Sequence, residues 1–249
     1  MATFADYSLA HLSRLREELH TLASPCPTFR EAAEACLDRL YAEFTGALVL
    51  GRVYVTVPFA FLPEREAEFT RRVAAQRKAG EKLSDDTIVV ALAASRGAKP
   101  EWNDPANSGG RLAVPLFDAS SLECIPLVGR VLGATMTDVP WLKRRETLIL
   151  QESTGKMSYL LMVKDARTEL ASNGRKAVPD QAFVNENHVR AVLAVGGRYL
   201  NATSLVMVLF TTEGVTQEQA SKFTTLVNTI KTATMKQVMA GKILFAPLT

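Results

Sequence analysis

Histidine and cysteine are scarce in this 249-residue chain, with three of each. Cys26, Cys36 and Cys124 are odd in number, widely spaced and without a C-x-x-C pair. That pattern argues against a disulfide framework or a cysteine-built zinc site and fits a reducing compartment. Cys36 and Cys124 sit among apolar neighbours and read as small buried hydrophobes. His11 and His20 are nine residues apart on one helical pattern, off any shared turn, so they do not read as a metal pair. Charge of one sign is also lacking: 29 basic residues face 26 acidic ones, and no basic run exceeds Lys143-Arg144-Arg145. Nucleic-acid binding gets no support from that balance. No stretch approaches the roughly 18 apolar residues of a membrane span, and Met1–Leu12 lacks a basic start followed by a long apolar run. The expectation is a cytoplasmic protein with neither nucleic-acid nor membrane partners. The glycine-rich nucleotide motifs, G-x-S-x-G and H-E-x-x-H are absent as well.

What is present is ordinary globular material, 47% apolar and 22% charged, enough to offset chain entropy by burial. No repeat and no linker-like composition separates Gly46 from Thr212, so one domain is expected over residues 1–249. It comprises an N-terminal helix (1–24), a core (28–212) and a C-terminal helix (216–241). Leu9, Leu12, Leu15, Leu19 and Leu22 recur at spacings of three and four and form a narrow apolar stripe. That stripe needs a cover, and the expectation is a homodimer in which it packs on its mate and on the helix Phe223–Val238, with cover inside the subunit as the alternative. Thr28 to Glu31 and Thr216 to Gln219 have capping-box spacing at the starts of two further helices. A charged helix from Glu64 to about Ala79 has Phe69 and Val73 as its apparent anchors. Asp118 to about Met136 reads as a helix interrupted by Pro126, with Leu122, Ile125, Val128, Val131 and Leu132 inward.

Strand-like runs occur at Ala47–Val57, Thr87–Ala93, Thr147–Gln151, Met157–Val163, Val189–Val195 and Leu205–Phe210. The nearly continuous apolar character of Thr87–Ala93 suggests a strand covered on both faces at the sheet centre. Gly196-Gly197 and a short polar turn punctuate the last two runs, which read as a central hairpin. The fold class expected is α+β: a central antiparallel sheet of five or six strands flanked by helices, with the first and last helices packed together.

Two loops carry the candidate chemistry. Between Ser95 and Leu116 the chain is rich in Gly, Pro, Asn and Ser, and long ordered loops are often functional. Trp102, Asn103, Asp104, Ser108 and Arg111 offer one flat apolar surface beside oriented polar groups, the usual lining of a small-molecule pocket. His188, at the mouth of a strand, is a second candidate, since imidazole titrates near neutrality.

The segments Pro100-Glu101-Trp102-Asn103-Asp104, Ser108-Gly109, Val114-Pro115-Leu116 and Ile125-Pro126, followed by Val178-Pro179-Asp180-Gln181, Phe183-Val184 and Val192–Gly197, resemble GAF-like sensory domains of bacterial signal-transduction proteins over roughly residues 28–212. The chain departs from that pattern at Pro105, Gly110 and Asn187-His188. The resemblance implies a non-catalytic sensory module that binds a small molecule and signals to a partner protein, commonly as a homodimer. It names no cofactor and no ligand. Two other readings stand beside it: an enzyme using His188 with Glu186 or Asp180 as acid and base, and a dimerisation scaffold whose pocket is filled by its own side chains.

Overall fold

The computed structural model describes residues 2–136, 139, 149–153 and 156–245. Among the described residues, seven α-helices and seven strands set the architecture. The strands are β1 (Leu48–Pro58), β2 (Ile88–Gly97), β3 (Ala113–Pro115), β4 (Ile149–Ser153), β5 (Lys156–Val163), β6 (Ala191–Arg198) and β7 (Ser204–Thr211). They form one sheet in the order β3-β2-β1-β7-β6-β5-β4, and every neighbouring pair is antiparallel. Six strands have five residues or more, and the three-residue β3 adds a short edge. Residues Thr147 and Leu148 of the third expected run, and two of the residues in the turn after it, lie outside the described residues.

Strand residues alternate between two cores. Val53, Val55 and Val57 of β1, with Leu205, Met207 and Leu209 of β7, face a layer built by α1 (Leu9–Ala23), α2 (Phe29–Glu43) and α6 (Gln217–Ala233). Leu50 and Tyr54 of β1, with Val206 and Val208 of β7, face α4 (Pro126–Thr135) and the loops around it. Period-two alternation is what a sheet with both faces covered requires when each face meets a different layer.

The stripe on α1 finds its cover within the chain. Leu12, Leu15 and Leu19 are buried with Phe223, Val227 and other core residues, and the helix packs on α6 and α2. Leu9 and Leu22 remain exposed. First and last helices thus pack together, as the sequence suggests. Before α1, Phe4 stacks on Phe44 with ring centroids 4.2 Å apart, and both rings contact Phe223. Arg39 of α2 joins Glu18 of α1 and Glu43 of its own helix, at 2.6 Å each. Past α6, the short α7 (Met235–Met239) places Gln237 so that its amide donates to the carbonyls of Ser24 and Cys26. The amides of Phe29 and Arg30 donate to the carbonyls of Lys242 and Ile243.

Both capping positions are used. At Thr216 the reciprocal box forms in full, whereas the Thr28 hydroxyl accepts from the Glu31 amide and donates to its carboxylate. Three expectations need correction. The centre of the sheet is β7, flanked by β1 and β6, and β2 lies next to the edge; its apolar run reflects cover on both faces, not a central place. The charged helix α3 (Glu64–Gln76) buries Ala67, Thr70 and Ala74 with Glu66, while Phe69 and Val73 are half-buried. The buried face is rotated because Glu66 turns inward to meet Arg30 of α2. Gly196 and Gly197 are not punctuation but interior residues of β6, and the hairpin turn lies at Tyr199–Thr203, where the Tyr199 amide donates to the Thr203 carbonyl. A Cβ on Gly196 would lie 2.4 Å from Val131 Cγ1, so the glycine is what lets α4 settle on the sheet. Among the described residues, no helix is long and apolar enough to cross a membrane.

Candidate functional site

A cavity of about 320 Å³ opens on the α4 side of the sheet, within the roughly 300–1,000 Å³ range of small-molecule pockets. Its floor is Leu50, Arg52 and Tyr54 of β1 with Val208 and Phe210 of β7. These residues share one face because strand side chains alternate. One wall is the loop from Trp102 to Arg111. The rim is completed by Glu123–Val128, which leads into α4, and by Val178–Phe183, which leads into α5 (Gln181–Glu186).

The loop is stiffened by its own polar groups. Trp102 sits in a 3-10 turn, Pro100–Asn103, whose carbonyl at Trp102 accepts from the Ser95 hydroxyl at 2.6 Å. The indole lies so close to Gly97 that a Cβ there would come within 2.7 Å of it, and Lys99 Nζ stands 5.1 Å from the ring centre. Edge-to-face contacts run from Trp102 to Phe183 at 5.5 Å and from Phe183 to Phe210 at 5.3 Å, giving one continuous aromatic wall. Gly109 and Gly110 both have positive φ, and this left-handed pair swings the chain back toward β3.

The sequence candidates separate into two groups. Trp102, Ser108 and Arg111 line the cavity. Asn103 turns away, its Oδ1 accepting from the Gly97 amide. Asp104 caps the next turn by accepting from the Ala106 amide and pairs with Arg65 at 2.9 Å on the outside. The Ala106 hydrogen bond, aided by Arg65 against burial, holds its carboxyl below the usual range. His188 is exposed at the end of α5, with φ of 53°, and does not line the cavity. Asp180 caps α5 through the Phe183 amide, and Glu186 is exposed. Among the described residues, neither carboxylate is hydrogen-bonded to His188.

Sequence reasoning missed the cavity's central charge. Arg52 is 9% exposed, and its Nε has no hydrogen-bond partner among the described residues. The available signal was a lone guanidinium in the apolar run ALVLGRVYVTVP, at the same strand parity as Leu50 and Tyr54. Ser108 is 2% exposed, and its hydroxyl is likewise unpartnered. Arg111 is held by backbone carbonyls, Nε to Cys124 at 3.2 Å and Nη1 to Ser108 at 3.3 Å. Burial pushes the Tyr54 phenol above its ordinary value, while Arg52 and Arg111 both pull it down. Both guanidinium groups therefore act at one point of the floor. The Cys124 thiol on the rim is raised by burial, against the pull of Arg77 and Arg111, which keeps it protonated at neutral pH. No group of three or more His, Cys, Asp or Glu arranged to hold a metal ion occurs among the described residues.

No family model matches the chain, and no curated protein matches it. Among solved structures, it is similar to an N-acylhomoserine lactone dependent LuxR family transcriptional factor from Burkholderia cenocepacia. The two share 12% identity with a TM-score of 0.44, over 93% of this chain and 98% of that one. A similarity at that level assigns neither family nor ligand. What the chain itself displays is an α+β fold with a seven-stranded antiparallel sheet, helices on both faces, and a cavity between sheet and loop.

Proposed function

We propose that the chain is a non-catalytic, GAF-like sensory or regulatory module of the cytoplasm that binds a small molecule between the sheet and the loop Pro100–Arg111, and passes the signal to a partner protein. The observation that carries this reading is the cavity itself: its floor and aromatic wall leave space that the chain's own side chains do not fill. Polar groups inside it, Arg52, Ser108 and Arg111, come with hydrogen-bonding capacity still open or held only by carbonyls. That favours a binding site over a self-filled scaffold. The exposed position of His188 outside the cavity weighs against its use as an acid or base there. A homodimer through α1 has Leu9 and Leu22 left to bury, so solution mass is a separate measurement from ligand binding.

Native mass spectrometry of freshly purified full-length protein tests the proposal. A bound small molecule lost in Trp102→Ala supports it, provided Thr28→Ala, which removes a helix cap at a cost of about 1 kcal/mol, retains the ligand. Turnover of a bound substrate, or a protein that carries nothing and binds nothing offered, refutes it.

A further inference from the structure

We propose that the ligand is an amphiphile with one anionic head, a carboxylate or a phosphate, seated on Arg52 and Arg111, and an apolar or aromatic body against Trp102, Phe183 and Phe210. The inference rests on the ligand-binding reading above and adds the sign of the charge. Arg52 is nine-tenths buried on the floor of the cavity, and no ion pair reaches it among the described residues. Nor does one reach Arg111, whose partners are two neutral carbonyls. A buried guanidinium without a counter-charge is costly, because desolvation is not repaid by a neutral acceptor.

The acids nearest the cavity do not repay it either. The Glu123 carboxylate is largely exposed and lies 3.9 Å from Arg175, and Asp180 is committed to the amide of Phe183. Arg52 and Arg111 thus line one cavity with Tyr54 and Ser108, where the Ser108 hydroxyl and the Arg52 Nε still lack partners among the described residues. A planar or tetrahedral oxyanion accepts from such a set, since guanidinium supplies directed donors as well as charge. Opposite, the rings of Trp102, Phe183 and Phe210 offer apolar surface, with Lys99 Nζ 5.1 Å from the Trp102 ring centre.

Isothermal titration calorimetry on the full chain at fixed ionic strength tests this with 4-phenylbutyrate, phenyl phosphate, the neutral 4-phenylbutyramide, and inorganic phosphate alone. At least one aromatic anion is expected to bind roughly tenfold or more tightly than the amide, as charge-assisted hydrogen bonds imply, and phenyl phosphate more tightly than phosphate alone. The better of the two anions identifies the head group. Arg52→Met, which keeps the side chain's length, is expected to abolish the preference for anion over amide; Arg111→Met serves if that variant does not fold. Equal binding of anion and amide to the unmutated protein overturns the anionic head but leaves the pocket standing, as does a preference that survives in both variants. A neutral molecule carried through purification has the same consequence. Failure of every probe, with no molecule co-purifying, overturns both the head group and the pocket.

Discussion

Substituting Gly196 by alanine tests how α4 is seated, and with it the placement of the cavity rim that α4 begins. The new methyl would stand 2.4 Å from Val131 Cγ1, 2.9 Å from the Leu205 carbonyl oxygen and 3.3 Å from Val206 Cγ2. Overpacking of this kind costs about 1–3 kcal/mol. Removing a flexible glycine from a strand returns about 0.5–1 kcal/mol, so a net loss of about 1–2 kcal/mol is expected. Val131 is fully buried, and Val131→Ala alone should cost about 1–3 kcal/mol through the lost methyls and the space they leave. In the double variant the nearest colliding atom is gone, and the combined loss should fall short of the sum by about 1 kcal/mol. Relief is incomplete because the Leu205 carbonyl cannot move out of the ladder between β6 and β7. Urea unfolding gives all four stabilities, with an unchanged slope required for the comparison. Losses that add to within about 0.3–0.5 kcal/mol would refute the contact between α4 and the glycine.

Leu15→Ala is expected to cost about 2–5 kcal/mol, whereas Leu9→Ala, at a side chain 69% exposed, should stay within about 0.5 kcal/mol. Comparable losses at the two positions, or a urea midpoint that rises with protein concentration, would instead place the stripe in an interface between copies. Glu43 gives a pH dependence. Burial raises its carboxyl, but hydrogen bonds from Arg39 and Tyr7 with the charge of Arg39 and Arg14 outweigh it, and the net shift is downward from the ordinary 4.5. A lowered folded value contributes stability that is complete above 4.5 and disappears as the pH falls through the folded value. Glu43→Gln should therefore lower the urea midpoint at pH 7 and lose less than the parent on acidification below 4.5; parallel curves would exclude the contribution. Alkylation offers a last check: burial pushes the Cys36 thiol up to about 12, so it should be labelled by iodoacetamide only after unfolding, and labelling of the native protein at Cys36 would contradict its placement.

Much of the fold is legible because periodicity survives in the residues. The stripe on α1, the inward set Leu122, Ile125, Val128, Val131 and Leu132, and the caps at Thr28 and Thr216 all depend on neighbours within a few positions. Sheet order depends on pairing between distant segments, which is why the apolar run of β2 suggested a centre that β7 occupies. Gly196-Gly197 misled for a related reason: a glycine required by the approach of a helix looks the same in sequence as one required by a turn. At the site, loop residues Trp102, Ser108 and Arg111 stood out by type, but Arg52 and Tyr54 were hidden inside a strand, and Phe183 lay in the six-residue α5, too short to show a period.

Strand order and chain order disagree most sharply at the middle of the sheet, where β1 pairs with β7. During synthesis β1 emerges first and pairs with β2, leaving its other edge without a ladder until residues 205–211 follow. At roughly 5–20 residues per second, that edge waits on the order of ten to thirty seconds. Leu48, Leu50, Val53 and Val55 lie along it, an apolar edge of the kind that recruits other strands. Helix α2 can cover one face during the interval, but the edge hydrogen bonds have no local substitute. A chain arrested before β7 is therefore expected to associate through this edge more readily than the closed sheet does.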